Sequence, residues 1–324
     1  DTWGFNITRA IRRKQEEVRW SGFSRSKEVF SLPDLGELHG LQGLRQGRGI
    51  DFKPYASITR HTTTSSGERR HEFNPGFDLV WHVTPSLAAT LTVNTDFADA
   101  EVDERQVNLG RFSLFFPEKR GFFTQDASLF TFGGIQQDPL PFFSRRIGLS
   151  RDGTKVDLLS GLKLTGRVGP WTVGLLDVQT ADHAGVDSKN LLVGRVAFQV
   201  FSESNVGVIF TRGDPRINGD NSLVGADFNY TNNHLAGNKT LSANASVQLT
   251  DSDFAAGRGM AGTIKVNYPN EPYSFNAWLS SVSGKYDPAL GFASRTDVTE
   301  IHLGHRYRWS LQDRRIRRID LDLE

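Results

Sequence analysis

The chain has 324 residues, a formal net charge of +1 at pH 7 and no cysteine. A nearly neutral chain is not expected to bind nucleic acid, which attracts strongly basic surfaces. Without cysteine, a disulfide framework and a thiolate metal site are both excluded. The mean hydropathy is −0.40, and no run of about 18 apolar residues occurs. These values exclude a transmembrane helix, but they allow membrane-spanning strands that have one polar face.

The first third of the chain contains the first predicted strands. They lie at about 3–11, 48–60, 73–84 and 87–95. In the third of them, apolar residues occupy every second position from Phe77 to Val83, and successive side chains of a strand point to opposite faces. The chain begins within one alternation, without a secretion signal, and ends within another. We therefore expect a segment of a longer protein, truncated at both ends.

The regular rhythm of strands fails between residues 97 and 150. A phenylalanine-rich stretch with paired charges stands there, Phe115-Phe116-Pro117-Glu118-Lys119-Arg120. Long irregular segments inside a compact fold are usually functional, and the aromatic content argues against disorder. Irregular backbone at membrane depth is tolerated only where protein or a water-filled cavity surrounds it. The sequence therefore predicts a plug-like segment, 97–150, that lies in a barrel lumen or covers its mouth.

From Thr154 to Glu324 the strand pattern repeats without any helix signal between strands. The stretch from Leu241 to Thr250 has an apolar residue at every odd position and a polar residue at every even position. The alternation predicts that Val224, Phe228, Val247, Ile264 and Leu303 face lipid, and that Asp227, Asn244, Lys265 and Glu300 face the lumen. In a soluble sandwich the same apolar face would be the core. The alternation alone leaves both alternatives open.

The connections between these strands alternate in length. Short ones are predicted at 169–170, 202–204, 269–272 and 310–313, and longer ones at 181–189, 213–221, 251–259 and 284–297. The connection at 231–238 is of middling length and stands where a short one is expected. Aromatic residues such as Trp171, Tyr273 and Trp309 lie beside the short turns, as in the interfacial girdle of a membrane barrel. We therefore predict an all-β fold, an antiparallel transmembrane β-barrel with an irregular phenylalanine-rich plug, and one outer-membrane domain over 1–324.

Motifs in the first half of the chain resemble a known bacterial family. They are Phe73-Asn74-Pro75-Gly76, the phenylalanine-rich stretch at 115–120 and Ser144-Arg145-Arg146-Ile147-Gly148. Over residues 1–150 the chain resembles a bacterial outer-membrane β-barrel domain family of unknown function, DUF5916. Members of that family usually carry a family-9-type carbohydrate-binding module before the barrel domain. The resemblance implies a barrel in the outer membrane of a Gram-negative-type bacterium, with outer-membrane lipid and carbohydrate as its partners.

Two groups of charged residues are candidates for a functional site. The first, in aromatic surroundings, contains Glu118, Lys119, Arg120, Arg145 and Arg146. Buried charges must be paired or wetted, so this group is interpreted as a lumenal ion-pair network that ties the plug to the barrel wall, with solute contact as the alternative. The second group is Asp96, Asp99, Glu101 and Asp103. These carboxylates are candidates for contact with a cation, Ca²⁺, or with a solute, although a solvated acidic strand explains them as well.

Catalysis has weaker support in the sequence. A glycosidase needs two carboxylates about 5–10 Å apart, for which Asp96 or Glu101 with Glu118 are candidates. No GxSxG motif, HExxH motif or cofactor fingerprint occurs. Three functions remain open. They are a gated channel or receptor for a polar, saccharide-like solute, which the pattern favours, a barrel-anchored glycan hydrolase, and a scaffold that displays a carbohydrate-binding module. The oligomeric state is left open.

Overall fold

The computed structural model describes residues 3–14, 16–21, 36–40, 49–62, 69–95, 115–135, 138–151, 153–237, 239–311 and 318–323. The chain divides into two compact units, Asp1–Arg48 and Gly49–Glu324. The acidic group Asp96, Asp99, Glu101 and Asp103 lies outside the described residues.

The first unit contains two small antiparallel sheets. In one, β1 (Trp3–Phe5) pairs with β4 (Gly36–Leu38), and in the other β2 (Thr8–Ile11) pairs with β3 (Glu16–Arg19). The predicted strand at 3–11 is therefore interrupted. The break lies at Asn6, whose side-chain oxygen accepts hydrogen bonds from the backbone N–H groups of residues 7 and 21. A side chain that bonds the backbone locally replaces ladder hydrogen bonds, so the strand stops there.

The second unit contains one antiparallel sheet of thirteen strands in its described residues. The strands are β5 (Ile50–Thr62), β6 (Arg69–Thr84), β7 (Leu87–Val93), β8 (Leu158–Val168), β9 (Trp171–Thr180), β10 (Asn190–Val200), β11 (Ser204–Arg212), β12 (Asn221–Leu235), β13 (Lys239–Ser252), β14 (Gly257–Pro269), β15 (Tyr273–Val282), β16 (Val298–Ser310) and β17 (Arg318–Leu323). Every strand pairs with its neighbours in sequence. The predicted all-β, antiparallel architecture is confirmed. Over the described residues the sheet is open, because β5 and β17 each have one paired neighbour.

Up to β16, the connections follow the predicted alternation except at 251–259, and most of the last connection, predicted at 310–313, lies outside the described residues. The longer connections between β9 and β10 and between β15 and β16 are present, as is a short turn between β12 and β13. The predicted long loop at 251–259 is wrong, because β13 and β14 continue until Ser252 pairs with Gly257. The polar residues at 251–259 therefore lie mostly within strands. Polarity alone does not end an antiparallel strand, since its backbone hydrogen bonds are made across the ladder.

The two faces of the sheet have opposite character. On one face Val224, Val247 and Leu303 are exposed by 51%, 43% and 65%, and Phe228 and Ile264 are exposed as well. On the other face Asp227 is buried, Asn244 and Glu300 are half-buried, and Lys265 is exposed. The two sets lie on opposite faces, as the alternation predicts. The arrangement is the reverse of a soluble sandwich, in which the apolar face is buried and the polar face meets water.

The polar face is covered by the long excursion of the chain between β7 and β8. These two strands pair directly, from Leu87 with Gly166 to Val93 with Ser160, so the excursion leaves the sheet and returns to the next position in it. Residues 115–135 and 138–149 of this excursion are called the covering segment below. It contains one helical turn, α1 (Gly121–Thr124), and otherwise irregular backbone with short 3-10 turns.

Phenylalanines of the covering segment fill two apolar clusters against the sheet. One contains Phe123, Phe130, Ile147, Leu158, Leu176, Val178, Leu191, Val193 and Leu290, and the other contains Phe132, Ile209, Leu223, Ala261, Val282 and Tyr286. Burial of one such aromatic side chain contributes about 1.5–3 kcal/mol. The phenylalanines therefore form the interface between the segment and the sheet.

Three glycines of the sheet make space for these rings. A β-carbon at Gly161 on β8, Gly174 on β9 or Gly225 on β12 would lie within about 3 Å of the ring of Phe122, Phe130 or Phe132, respectively. A side chain at any of these positions would displace a ring, because a β-carbon does not approach another heavy atom so closely. Glycine is required there for close packing.

Candidate functional site

The polar face has a covered region, mainly on β8–β13, and an open region on the parts of β14–β16 that lie beyond Ala261 and Val282. In the covered region, Lys163 on β8 is 2% exposed. Its ammonium group donates to the carbonyl oxygens of Phe122 at 2.7 Å and Gln125 at 2.8 Å. Thr165 lies two positions after Lys163 on the same face of β8, and its hydroxyl donates to Asp126 Oδ2 at 2.9 Å. Both contacts hold the turn around α1 against β8, since the last carbonyls of a helical turn lack intrahelical partners.

An ion pair holds the middle of the covering segment. Arg195 on β10 and Asp227 on β12 form a bidentate pair, with N···O distances of 2.6 and 2.9 Å, and their side chains are 3% and 0% exposed. Arg195 Nε also donates to the carbonyl oxygen of Thr131 at 3.0 Å, and the backbone N–H of Gly133 donates to Asp227 Oδ2 at 2.9 Å. Both charges therefore bind the segment as well as each other, as buried charges require.

A glycine on the intervening strand makes this pair possible. Arg195 must cross β11 to reach Asp227, and it passes over Gly207. A β-carbon on Gly207 would lie 2.4 Å from the guanidinium nitrogen of Arg195. The side chain of Asn229 completes the site by donating to Asp227 Oδ2 at 2.7 Å. Three adjacent strands therefore contribute to the site: β10 and β12 supply the two charges, and β11 supplies the glycine that leaves space for them.

The far end of the covering segment is bound by β13 and by the loop between β15 and β16. Gln248 on β13 is fully buried, donates to the carbonyl oxygen of Pro139 at 3.1 Å and accepts a hydrogen bond from the hydroxyl of Tyr286. Backbone hydrogen bonds of 2.8 and 2.9 Å join Leu140 and Phe292 in both directions. The segment and the loop therefore form a short two-stranded contact over the polar face.

The loop of Tyr286 is itself fixed by a second ion cluster. Arg216, between β11 and β12, makes bidentate contacts with both Asp214 and Asp287 at 2.7–2.8 Å. Burial alone would raise the pKa of Asp287, but the hydrogen bonds and charge of Arg216 outweigh it and hold that pKa below its usual value. The cluster therefore ties the connection after β11 to the connection after β15.

Two members of the predicted charge network, Glu118 and Arg120, pair with each other within the covering segment. The carboxylate of Glu118 accepts from Arg120 at 2.9 and 2.7 Å and from the hydroxyl of Ser144 at 2.6 Å. Arg120 also donates to the carbonyl oxygens of Ser144 and Ile147. Burial opposes ionisation of Glu118, but Arg120 and Ser144 outweigh burial, so the pKa of Glu118 lies below its usual value. An ionised, fully engaged carboxylate is unsuited to act as a general acid, which needs a raised pKa.

The other predicted members of the network lie nearby. The backbone N–H of Lys119 donates to Glu118 at 3.0 Å, and Arg145 donates to the carbonyl oxygen of Pro117 at 3.0 Å. Arg146 donates to the carbonyl oxygen of Gly291 at 3.1 Å, in the loop after β15. These contacts join parts of the covering segment to one another and to that loop.

Sequence reasoning missed the residues of the strands that hold the segment. They are Lys163, Arg195, Asp227 and Gln248. A signal was present, because Lys163 and Asp227 each stand two positions after a glycine on the same strand face, Gly161 and Gly225. A charge beside a missing side chain on one face indicates that another chain segment approaches there. Within the described residues, no group of three or more His, Cys, Asp or Glu side chains is placed to hold a metal ion.

The open region on β14–β16 lines a cavity of about 610 Å³. Its lining includes Lys265 and Asn267 on β14, Asn276 and Trp278 on β15, and His302 on β16. The register places Lys265 beside Trp278 and Trp278 beside His302, so the three side chains form one row across three strands.

The covering segment closes one side of this cavity. Gly133, Gly134 and Asp138 belong to its lining. The carboxylate of Asp138 accepts hydrogen bonds from the backbone N–H and the hydroxyl of Ser294. Burial raises the pKa of Asp138 above its usual value despite these bonds. A smaller cavity of about 170 Å³ shares Asp138 and Trp278 and reaches Glu300.

These features define an all-β protein with one thirteen-stranded antiparallel sheet in its described residues, an exposed apolar face and a polar face partly covered by an internal segment. Residues 49–160 match the family model of the domain of unknown function DUF5916, which confirms the family resemblance over that range. The matched range includes β5–β7 and the covering segment. Within the described residues, no helix has the length and apolar character needed to cross a membrane.

No curated protein matches the chain. Among solved structures the chain is similar to OmpT (in-vitro folded), an outer membrane protein of Vibrio cholerae. The two share 12% sequence identity and a TM-score of 0.32, and the match covers 83% of this chain and 100% of the other. A similarity of this size does not assign a function.

Proposed function

We propose that this chain forms the wall and the internal plug of an outer-membrane β-barrel in a Gram-negative-type bacterium. In this proposal the protein is a gated channel or receptor for a polar, saccharide-like solute, and the covering segment restricts passage. The observation that carries the proposal is the inverted polarity of the sheet, with apolar side chains exposed and charged side chains buried.

The exposed apolar face supports the proposal that this side of the sheet contacts lipid. Val224, Met260 and Ile301 are exposed by 51%, 53% and 71%, and they lie on strands from β12 to β16. A continuous band of such residues is unfavourable in water, and lipid covers it in a membrane barrel. Strands that pair on both sides satisfy their backbone groups internally, which a bilayer requires.

The aromatic residues beside the short turns support the same environment. On adjacent strands, the rings of Trp171 and Phe198 lie 4.7 Å apart, and those of Tyr273 and Tyr307 lie 4.6 Å apart. Trp309 continues the second group, with its ring 4.2 Å from that of Tyr307. Tryptophan and tyrosine are enriched where a barrel crosses the membrane interface, because their rings are apolar and carry one polar group.

The position of the covering segment supports a role in restriction. It binds the polar face at β8, β10, β12 and β13 through Lys163, Arg195, Asp227 and Gln248. In a barrel this face lines the lumen, so a segment fixed to it narrows the route of a solute. The face of β14–β16 stays open as a polar cavity.

Conductance of the full-length protein in planar bilayers tests this role. We expect the intact protein to show a low or gated conductance. Replacement of residues 98–149 by a short Gly/Ser bridge is expected to give a larger, constant conductance. A short bridge is compatible with the wall, because Val93 at the end of β7 pairs with Ser160 at the start of β8. The matched control shortens the connection at 182–188 between β9 and β10.

Three results decide the proposal. An unchanged conductance in a deletion variant that is shown to fold would remove the restricting role. A protein that does not insert into bilayers would remove the membrane barrel. Cleavage of glycans by the purified protein would replace the channel with a hydrolase.

A further inference from the structure

The polar groups of the open region are not used to hold the covering segment. Within the described part of the chain, the side chains of Lys265, Asn267, Asn276, Trp278 and His302 have no hydrogen-bond partner, although each lines the cavity of about 610 Å³. On the neighbouring strands the comparable polar side chains bond each other or the segment. The difference indicates that the open region presents its polar groups to a ligand.

Trp278 differs from the other tryptophans of the sheet. Trp81, Trp171 and Trp309 are exposed on the apolar face by 50%, 47% and 43%. Trp278 is on the opposite face, in the lining of the cavity. An indole on a polar face offers a flat apolar surface for stacking, and its N–H donates to a polar ligand. The position suits a ligand with one apolar face and many polar groups, as a pyranose ring has.

The groups beside Trp278 are arranged to bind such a ring. Lys265 and His302 flank it on the two adjacent strands, so the row spans about 10 Å at the usual strand separation. Asn267 and Asn276 form the next row, directly opposite each other on β14 and β15. An amide offers a donor and an acceptor together, which matches the paired hydroxyls of a sugar.

The charges that face the cavity favour an acidic sugar. The carboxylate of Asp138, which lines the cavity, is engaged by Ser294, and Glu300, which lines only the smaller neighbouring cavity, is bound by Arg295 at 3.0 Å. The ammonium group of Lys265 has no such partner among the described residues. Asp138 already accepts hydrogen bonds from Ser294, so the charged group of the lining that is left to pair with a ligand is the ammonium group of Lys265, which attracts an anion.

We infer that the face of β14–β16 is a binding subsite for an acidic saccharide, such as a uronic acid oligomer. One pyranose ring stacks on Trp278, its hydroxyls bond the amides of Asn267 and Asn276, and its carboxylate bonds Lys265. The cavity volume falls within the usual range for small-molecule sites. The inference rests on the proposed function, because it names the class of solute that the barrel handles.

Calorimetric titration of the full-length protein in detergent micelles tests the subsite. The ligands are a galacturonic acid oligomer, a neutral glucose oligomer of the same length and a glutamate peptide of the same charge. We expect the uronate oligomer to bind most tightly. Trp278→Leu is expected to weaken its binding at least about fivefold, because stacking is lost. Lys265→Gln is expected to weaken the uronate about fivefold and the neutral oligomer less than twofold.

Matched controls lie away from the cavity. Trp171→Leu removes a tryptophan from the apolar face, and Lys155→Gln removes a lysine whose exposed side chain pairs with Asp157. Both are expected to leave binding unchanged. Each variant is first shown to be folded by its β-sheet circular dichroism and its heat-modifiable electrophoretic migration.

Several results would overturn the inference. They are absence of uronate binding, equal binding of the glutamate peptide, and equal effects of Trp278→Leu and Trp171→Leu. Equal binding of the neutral oligomer, unaffected by Lys265→Gln, would overturn the preference for an acidic sugar. Binding in micelles does not depend on conduction. Binding without conductance would therefore remove the channel and leave the subsite, and conductance without binding would remove the subsite alone.

Discussion

The polar face of the sheet shows two ways in which a β-sheet handles inward polar side chains. On β8–β13, the pair of Arg195 and Asp227 is almost completely buried, and each charge also binds backbone of the covering segment. On β14–β16, Lys265 and His302 stand beside Trp278 in an open cavity. Both regions carry the same alternation in the sequence. The difference shows that a polar face becomes an anchor only where another segment of the chain meets it.

Removal of one buried charge is expected to have the largest effect on the covered region. Asp227→Asn leaves the guanidinium of Arg195 buried without a counter-charge, which costs about 3–5 kcal/mol of folding free energy. Lys265→Gln, in the open region of the same face, is expected to change it by less than about 0.5 kcal/mol. Urea unfolding of the detergent-folded protein measures both.

Limited proteolysis shows which part of the protein is destabilised by Asp227→Asn. The covering segment is expected to become sensitive to protease in Asp227→Asn and to stay resistant in Lys265→Gln. The double variant Arg195→Met with Asp227→Leu leaves no unpaired charge and is expected to recover part of the loss, but not all of it, because Thr131 and Gly133 lose their hydrogen-bond partners. Similar losses of folding free energy in Asp227→Asn and Lys265→Gln would show that the covered region and the open region do not differ in this way.

The open region also tests which face meets lipid. Leu303 and His302 are neighbours on β16. Leu303 belongs to the apolar face, and His302 lines the cavity on the opposite face. Leu303→Arg is expected to cost about 2–4 kcal/mol near the membrane midplane and to impair assembly, whereas His302→Arg is expected to assemble normally. Assembly into outer-membrane-like vesicles is measured by heat-modifiable migration. Equal tolerance at the two positions would remove the membrane assignment.

Gln248 is unsuitable as the polar-face control, although the alternation alone would allow an arginine there. Its side chain is fully buried between the sheet, Pro139 and Tyr286. An arginine at that position would disturb the covering segment whatever the environment of the other face.

A smaller effect is expected from pH at Glu118. Its pKa in the folded protein lies below the ordinary value of 4.5, so the ionised form is the one that folding stabilises. That contribution is present above pH 4.5 and is lost as pH falls through the lower folded-state pKa. Protease resistance of the covering segment is therefore expected to fall in acid below about pH 4.5.

Substitution of Glu118 distinguishes its contribution to the acid transition from that of other carboxylates. Glu118→Gln is expected to cost about 1–2 kcal/mol at pH 7 and to remove part of this acid sensitivity. Glu16→Gln, at a carboxylate whose side chain is 56% exposed, serves as the control and is expected to change neither. An unaltered acid transition in Glu118→Gln would show that other carboxylates govern it.

The sequence predicted well the properties that depend on strand geometry. Successive side chains of a strand point to opposite faces, so the alternation correctly separated Val247 from Asn244 and Leu303 from Glu300. It also marked the excursion between β7 and β8, because the phenylalanines there do not follow a period of two. The long loop at 251–259 was wrong, because polar composition does not prevent cross-strand pairing.

The partners of the charged side chains required the tertiary structure. The charges at 118–120 were expected to tie the segment to the wall, yet Glu118 and Arg120 mainly join parts of the segment itself. The wall contributes Asp227 instead, 94 positions from its partner Gly133 in the chain. Local sequence determines which face a residue takes, because the backbone fixes that within two residues. Which charges are buried and which line a cavity depends on where the excursion settles on the sheet, and long-range packing alone decides that.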